Sequence, residues 1–197
     1  DGKYILVLNP DITALPGSID KMFEYLEKNK SIAILAPKLI NPNGSIQYSC
    51  FSAFPTLQIV LYRRTPLGTS PKAKKTTDDF RMADWDHSRG REVAWVLGSC
   101  MMIRRQALDQ IGLMDERFFM YMEDVDWCRR FWESGWRVYY YPEACMVHYY
   151  QRSSATESGL FLALFNRQTR IHIKSAMKYF LKYSGKKETR QPYSNAR

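Results

Sequence analysis

The chain has 197 residues, 45% of them hydrophobic and 25% charged, the make-up of a folded domain with a sizeable core. No uninterrupted apolar run reaches the roughly 20 residues that a bilayer-spanning helix needs, and the first residues show no basic-then-apolar leader pattern. The net charge is +9, yet residues 1–150 carry 19 basic and 18 acidic side chains while residues 160–197 carry nine basic and one acidic. The globular body is therefore nearly neutral, which argues against a nucleic-acid-binding domain.

The four cysteines, Cys50, Cys100, Cys128 and Cys145, are scattered without a CxxC pair. That disfavours a zinc site and reads as buried free thiols of a reducing cytoplasm. Thirteen Tyr, ten Phe and five Trp suit a core and also suit a site that stacks on sugar rings.

In chain order, residues 3–8 read as a buried strand ending in the turn Asn9-Pro10-Asp11. The spacing of Ile19, Met22, Phe23 and Leu26 predicts a helix over 18–29, with Ser18 as its N-cap. Residues 32–36 read as a second buried strand, Asn41-Pro42-Asn43-Gly44 as a turn, and 45–51 as a returning strand. Residues 63–92 are polar and read as a long mobile surface loop. Strands are predicted at 93–97 and 100–103, on either side of Gly98-Ser99. A short helix follows over 106–111, and a stronger one over 123–134, each closed by a glycine. Short strands at 138–141 and 144–148 flank a Pro142 turn, and 160–183 reads as a long helix. Strands and helices alternate, so the class is α/β. Ligands in such sheets sit at the carboxyl ends of strands, where Asn9-Pro10-Asp11 and His148 fall.

Five features could carry chemistry. A carboxylate fixed by Pro10 at a strand end could hold a hard divalent cation, although Asn-Pro-Asp is also good turn chemistry, as Asn41-Pro42-Asn43 illustrates. Glu123, Asp124 and Asp126 crowd into four residues after an aromatic run. They read either as first-turn helix acids, with Arg129 and Arg130 near, or as a general base beside an apolar wall. His148 ends a buried strand and reads as a structural imidazole or a metal ligand. Gly98-Ser99 permits either a bend or close approach of a ligand to the backbone. Arg170, Lys174, Lys178 and Lys182 recur every four residues, with Ile173, Met177, Phe180 and Leu181 largely away from them. This is a solvated face packed on the body or a helix for an anionic membrane surface.

In order and interval these signals resemble family-2 glycosyltransferases, particularly the rhamnosyltransferase-like group that builds bacterial cell-surface polysaccharides. Tyr4-Ile5-Leu6-Val7-Leu8-Asn9-Pro10-Asp11 followed by Pro16-Gly17 is similar to that group's metal-binding DxD element. The run from Val93 through Gly98-Ser99 to Arg105 resembles its donor- and acceptor-lining segment. Gly112-Leu113-Met114-Asp115 through Glu123-Asp124-Val125-Asp126 resembles the segment bearing its catalytic base. The resemblance implies a GT-A-like mixed sheet flanked by helices, incomplete at the N-terminus because the family's nucleotide-binding region precedes the Asn-Pro-Asp strand. The isolated chain is then expected to bind donor poorly.

The implied reaction is inverting transfer of a sugar from a nucleotide diphosphate donor to a saccharide or lipid-linked acceptor, at the cytoplasmic face of the cell membrane. Asp124 is the implied base with Glu123 beside it. Asp11 and His148 hold Mg or Mn, Asn9 stands at the first DxD position, and Gly98, Ser99, Trp95 and Trp127 line the substrate. Residues 1–158 form the catalytic part, and 159–197 the basic amphipathic helix and tail with peripheral membrane contact. Self-association into a homo-oligomer is compatible with the sequence, and no nucleic-acid partner is expected. The competing reading is a non-catalytic scaffold of the same fold that pairs with another chain.

Overall fold

A computed structural model describes residues 2–64, 66–149 and 167–186. In chain order they form β1 (Tyr4–Leu8), β2 (Ile12–Ala14), α1 (Ser18–Lys28), β3 (Ile32–Ile40), β4 (Cys50–Phe51) and α2 (Leu57–Arg64). A 3-10 turn (Pro66–Thr69), α3 (Pro71–Arg81), β5 (Arg91–Glu92), β6 (Trp95–Val96), β7 (Cys100–Arg104) and α4 (Arg105–Ile111) come next. The last elements are α5 (Glu123–Glu133), β8 (Arg137–His148) and α6 (Arg167–Tyr183).

The main sheet runs β1-β7-β3-β8-β2, with β5 also on β8. The β3–β8 pair is parallel and the others are antiparallel, so the sheet is mixed. Its central strands are apolar on both faces, as strands covered on both sides must be. Leu35 and Leu39 of β3, Met102 of β7 and Met146 of β8 join Met22 and Leu26 of α1 in one cluster. Ile34, Ile103, Val138 and Tyr140 face the other way, onto Phe131 and Cys128 of α5 and Tyr179 of α6. A second, two-stranded sheet pairs β4 with β6 and carries the 95–99 segment toward α5.

Four local expectations are corrected. Residues 63–92 are not irregular throughout. Ser70 Oγ accepts the Ala73 amide at 3.3 Å, Pro71 opens α3, and Ala73 and Phe80 bury one face of it. The polar exterior of that helix masked its seven-residue apolar spacing. Ser18 does not cap α1. Its Oγ donates to the Cys145 carbonyl at 2.8 Å and accepts the Cys145 amide at 3.1 Å, while Gly17, at φ 74°, precedes the helix. The strands expected around Pro142 are one strand, because Pro142 falls where the β3 pairing steps from Pro37–Tyr141 to Lys38–Cys145. The amide that Pro142 lacks is thus absent from an irregularity rather than from a ladder position. Of the strand expected over 45–51, only Cys50–Phe51 forms, with an isolated bridge at Ile46. The helix expected from residue 160 is described from Arg167, and 160–166 lie outside the described residues. All four cysteines are free thiols.

One buried cation ties the two ends of this architecture. Arg104, 4% exposed at the end of β7, donates Nη2 to the carbonyls of Leu26 (2.7 Å) and Asn29 (3.0 Å), Nε to Ile32 (3.0 Å), and Nη1 to Tyr4 Oη (3.0 Å). It adds a charged donor to carbonyls at the end of α1, where Leu26 otherwise accepts a 3.3 Å bond from the Asn29 amide and Asn29 one from the Ile32 amide. Arg104→Met removes the hydrogen bonds made by a buried charged group, each worth ~1–3 kcal/mol. Urea unfolding should show a loss of about 3 kcal/mol, whereas a loss below ~1 kcal/mol would deny Arg104 this role.

Candidate active site

β1 ends at Leu8, paired with Cys100. The Asn9 amide then donates to the Ser99 carbonyl at 2.8 Å and the Ile12 amide to the Asn9 carbonyl at 3.2 Å, closing the Asn-Pro-Asp turn. β2 lies along the end of β8, with Ile12 opposite His148, and the Tyr149 amide donates to the Asp11 carbonyl at 2.8 Å. This pairing sets Asp11 Oδ1 3.4 Å from His148 Nε2; the imidazole is buried and the Asp11 side chain is 42% exposed.

Gln47 fixes the imidazole. Its amide nitrogen donates to Asn41 Oδ1 at 2.7 Å and to the His148 carbonyl at 3.2 Å, so its oxygen, 2.8 Å from His148 Nδ1, is the acceptor. Nδ1 thus donates to Gln47, and Nε2 faces the Asp11 carboxylate. Two electron-rich atoms so placed need a proton or a cation between them, and a second partner on Nδ1 is the usual support of a metal-binding histidine.

Among the described residues no three His, Cys, Asp or Glu side chains form a cage. A hard cation that bridges phosphates does not require one, because it commonly takes one or two protein ligands and completes its shell with substrate oxygens and water. The Asp11–His148 pair fits that kind of ion.

The second half of the site is the first turn of α5. Tyr121 (φ 67°) and Met122 (φ 69°) are consecutive non-glycine residues in the left-handed region, a conformation costing about 1 kcal/mol or more per residue. It turns the chain sharply into Glu123-Asp124. Asp124, 9% exposed, accepts the Gly98 amide on Oδ2 at 3.1 Å and the Val125 amide on Oδ1 at 2.8 Å. A Cβ on Gly98 would lie 3.5 Å from Asp124 Cβ, an ordinary van der Waals contact, so it is the amide of residue 98 and not its lack of a side chain that serves the carboxylate.

Burial raises the Asp124 pKa, against the pull of the Gly98 and Val125 amides. Glu123 is pushed up to about 7 by burial and then by the Asp124 charge. Ser99 Oγ and Glu123 Oε2 are buried without a hydrogen-bond partner among the described residues, and both adjoin the Gly98–Asp124 contact. Gly98-Ser99 therefore bonds in one direction to the Asn-Pro-Asp turn and in the other to Asp124, bringing the two acidic elements to one end of the sheet.

The family model described as "Glycosyl transferase family group 2" matches residues 53–180. The chain belongs to this glycosyltransferase family. It is 34% identical over 170 residues to an N-acetylglucosaminyl-diphospho-decaprenol L-rhamnosyltransferase of Mycobacterium tuberculosis, covering 86% of this chain and 54% of that protein. It is 26% identical over 182 residues to the rhamnosyltransferase WbbL of Escherichia coli, covering 91% and 62%. The chain thus spans a little over half the length of these relatives. A crystal structure of GalNAc-T7 with UDP, GalNAc and Mn2+ matches with a TM-score of 0.55 at 16% identity, covering 80% of this chain and 29% of that one. The α/β fold is accordingly GT-A-like.

Not every expected residue of this glycosyltransferase chain reaches the site. Trp95 and Trp127 are 5% and 4% exposed. Trp95 stacks on Phe51 with centroids 3.9 Å apart and donates to the Ala53 carbonyl, and Trp127 donates to the Gly112 carbonyl. Both rings are core, because indoles with a satisfied N–H bury well. Asn9 joins through its backbone amide, and its side chain is exposed beside Asp11.

Gln47, Ser175, Tyr179 and Tyr183 have no counterpart among the residues singled out from the sequence, and Lys182, expected in one basic row with Arg170, Lys174 and Lys178, turns inward instead. Asp126, fully buried, pairs with Arg130 at 3.0 Å and Lys182 at 2.6 Å and accepts from Tyr183 Oη at 2.8 Å. Lys182 also reaches Asp115 at 2.7 Å. Hydrogen bonds from Arg117, then from Lys182, hold the Asp115 pKa below its ordinary value. Ser175 Oγ donates to the Met120 carbonyl at 2.7 Å, next to the strained turn. The crowded acids signalled a need for cations; Arg130 lay close in sequence, whereas Lys182 is 56 residues beyond Asp126.

The raised Glu123 pKa has a consequence for stability. The folded state holds a proton there that the unfolded chain releases above about 4.5, so stability falls as pH rises from about 4.5 to about 7. Glu123→Gln removes that fall: in urea unfolding at pH 5 and pH 8, the variant should lose less stability between the two than the parent. An unchanged difference would mean that Glu123 is solvated like a surface acid.

Proposed function

We propose that this chain is the catalytic, acceptor-side part of an inverting glycosyltransferase acting on a nucleoside diphosphate sugar. The acceptor is a saccharide on a lipid carrier, used in cell-surface polysaccharide synthesis at the inner face of the cell membrane. The observation that carries this is the pair of hydrogen bonds made by Gly98-Ser99, one toward the Asn9-Pro10-Asp11 turn and one toward Asp124. They bring a leaving-group element and a basic element to one place. The names of the relatives, L-rhamnosyltransferases among them, favour a deoxyhexose or hexose donor.

Asp124 acts as the general base. It takes the proton of an acceptor hydroxyl while that oxygen attacks the anomeric carbon from the face opposite the diphosphate. The new C–O bond forms as the bond to the diphosphate breaks, and the configuration inverts. Gly98 and Val125 amides keep the carboxylate aimed, and burial raises its basicity. Glu123, held partly protonated, limits the negative charge beside it. Ser99 Oγ is a hydrogen-bond group for the sugar. Asp11 and His148 would hold Mg or Mn, which would supply charge neutralisation for the departing diphosphate. Asn9 belongs to this turn with its side chain exposed, where it would contact the donor.

The test is release of nucleoside diphosphate from a panel of donor sugars, in the presence of a polyprenyl-diphosphate saccharide, by the protein that carries this segment. Asp124→Asn should lower turnover by about 10²–10⁴-fold and leave donor affinity within about twofold, as expected for a group acting only in the transition state. Full activity of this variant would remove Asp124 from the chemistry. Asp11→Ala and His148→Ala should each raise the Mn2+ concentration needed for half-maximal turnover by 10-fold or more, within the range for loss of a metal-supporting group. An unchanged metal titration for both variants would sink the metal assignment.

A further inference from the structure

The side of α6 that packs inward is not its aliphatic side. Ser175, Ala176, Tyr179 and Tyr183 are buried, while Ile173, Met177 and Leu181 are 37%, 60% and 74% exposed. At 3.6 residues per turn, these three form a row along the outer surface, and Arg170, Lys174 and Lys178 form a parallel row about 60° around the helix. Five basic side chains and no acid occur in Arg167–Tyr183.

The neighbouring loop adds to the same surface. Lys178 Nζ donates to the Arg117 carbonyl and Ser175 Oγ to the Met120 carbonyl, so 117–120 lies along α6. Phe119 in that loop is 78% exposed. A cleft of about 360 Å³ between loop and helix is lined by Arg117, Phe118, Lys178, Leu181 and Lys182. Among the described residues no helix is long and apolar enough to cross a membrane. An amphipathic helix needs no such length to lie in an interface.

We propose that this surface, the outer face of α6 with Phe119, docks on an anionic phospholipid bilayer. The aliphatic row enters the headgroup boundary, and the cations Arg170, Lys174 and Lys178 pair with lipid phosphates. Charge complementarity chooses this occupant: aliphatic side chains set beside a purely basic row match a surface that is apolar beneath and negative above. The proposal deepens the transferase reading and rests on it for its purpose. Phe119 is only five residues before Asp124, and the 117–120 loop contacts both α6 and the approach to α5. Docking therefore brings the catalytic turn to the bilayer, where a lipid-linked acceptor presents its sugar.

The test is flotation of the protein with vesicles of equal parts phosphatidylglycerol and phosphatidylcholine, against vesicles of phosphatidylcholine alone. The expected result is binding to the anionic vesicles that weakens with salt. Lys174→Ala should weaken it about fivefold, the share of one basic residue near such a surface. Met177→Glu with Leu181→Glu should abolish it. These positions are exposed, so thermal unfolding should coincide with the parent and separate lost docking from lost folding.

Binding to neither vesicle overturns the proposal, as does anionic binding that these variants leave unchanged. It is equally overturned if sedimentation shows the parent to be a dimer that Leu181→Glu dissolves, since a second copy would then occupy the face. Transfer to a short-chain, water-soluble acceptor distinguishes the two readings. Flotation failure with transfer intact removes the membrane surface alone. Docking without transfer to any acceptor removes the transferase reading and leaves the surface.

Discussion

The hydrogen bond from the Gly98 amide to the Asp124 carboxylate joins the end of the sheet to the first turn of α5, and the geometry of the site depends on it. The next residue, Ser99, accepts the Asn9 amide. A shift of one peptide here would move the two acidic elements apart together. Rigidity at this junction comes from both sides: β7 continues from it between β1 and β3, and Val96 and Cys128 are fully buried below it. Interiors packed to that density transmit displacements rather than absorbing them.

Crowding three acids into one helical turn has a cost that the fold distributes unevenly. Asp126 is fully buried but bonded to Arg130, Lys182 and Tyr183. The Glu123–Asp124 pair instead meets its burial with two backbone amides on Asp124 and none of those cations. Both members titrate upward chiefly because they are buried, and for Glu123 also because of the Asp124 charge, while Arg130 and Lys182 are engaged with Asp126. α6 therefore separates a cation-paired acid, Asp126, from the acids two and three residues earlier in the chain that those cations leave unpaired. Left-handed Tyr121 and Met122 reinforce the separation by swinging Glu123 and Asp124 toward the sheet, with His172 edge-on to Tyr121 at 4.8 Å.

Much of this was readable from residues alone, for identifiable reasons. The buried strands announced themselves through apolar runs, and the 123–134 helix through its spacing and closing Gly135, because these signals are local. The bonds made by Gln47, Ser18 and Lys182 were hidden because each spans about 60–130 residues. Ser18 shows how a local rule fails: serine before a helix is a cap by propensity, but here a strand edge at Cys145 offers both a donor and an acceptor to the same hydroxyl. Trp95 and Trp127 fail in the other direction. Aromatic residues inside a substrate-lining segment invite a stacking role, yet Ala53 and Gly112 carbonyls receive their indole protons and Phe51 covers one ring.

The same logic explains the inversion of α6. Read from the sequence, the aliphatic residues suit either the packed side or a membrane surface, and burial alone favours the packed side. The site beneath α6 is not apolar, however; it contains Asp115, Asp126, Arg129 and the Met120 carbonyl, all in need of partners. Tyr179, bonded to Arg129, Tyr183, bonded to Asp126, and Ser175 supply hydroxyls at that interface while still burying ring and methylene area. Ile173, Met177 and Leu181 could not satisfy a single one of those groups, and an unsatisfied buried polar group costs as much as an aliphatic side chain gains. The helix therefore turns its hydroxyl-bearing face to the segment holding Met120, Asp126 and Arg129 and leaves its aliphatic row outside. The demand for hydrogen bonds around Asp126 thereby produces the exposed apolar surface.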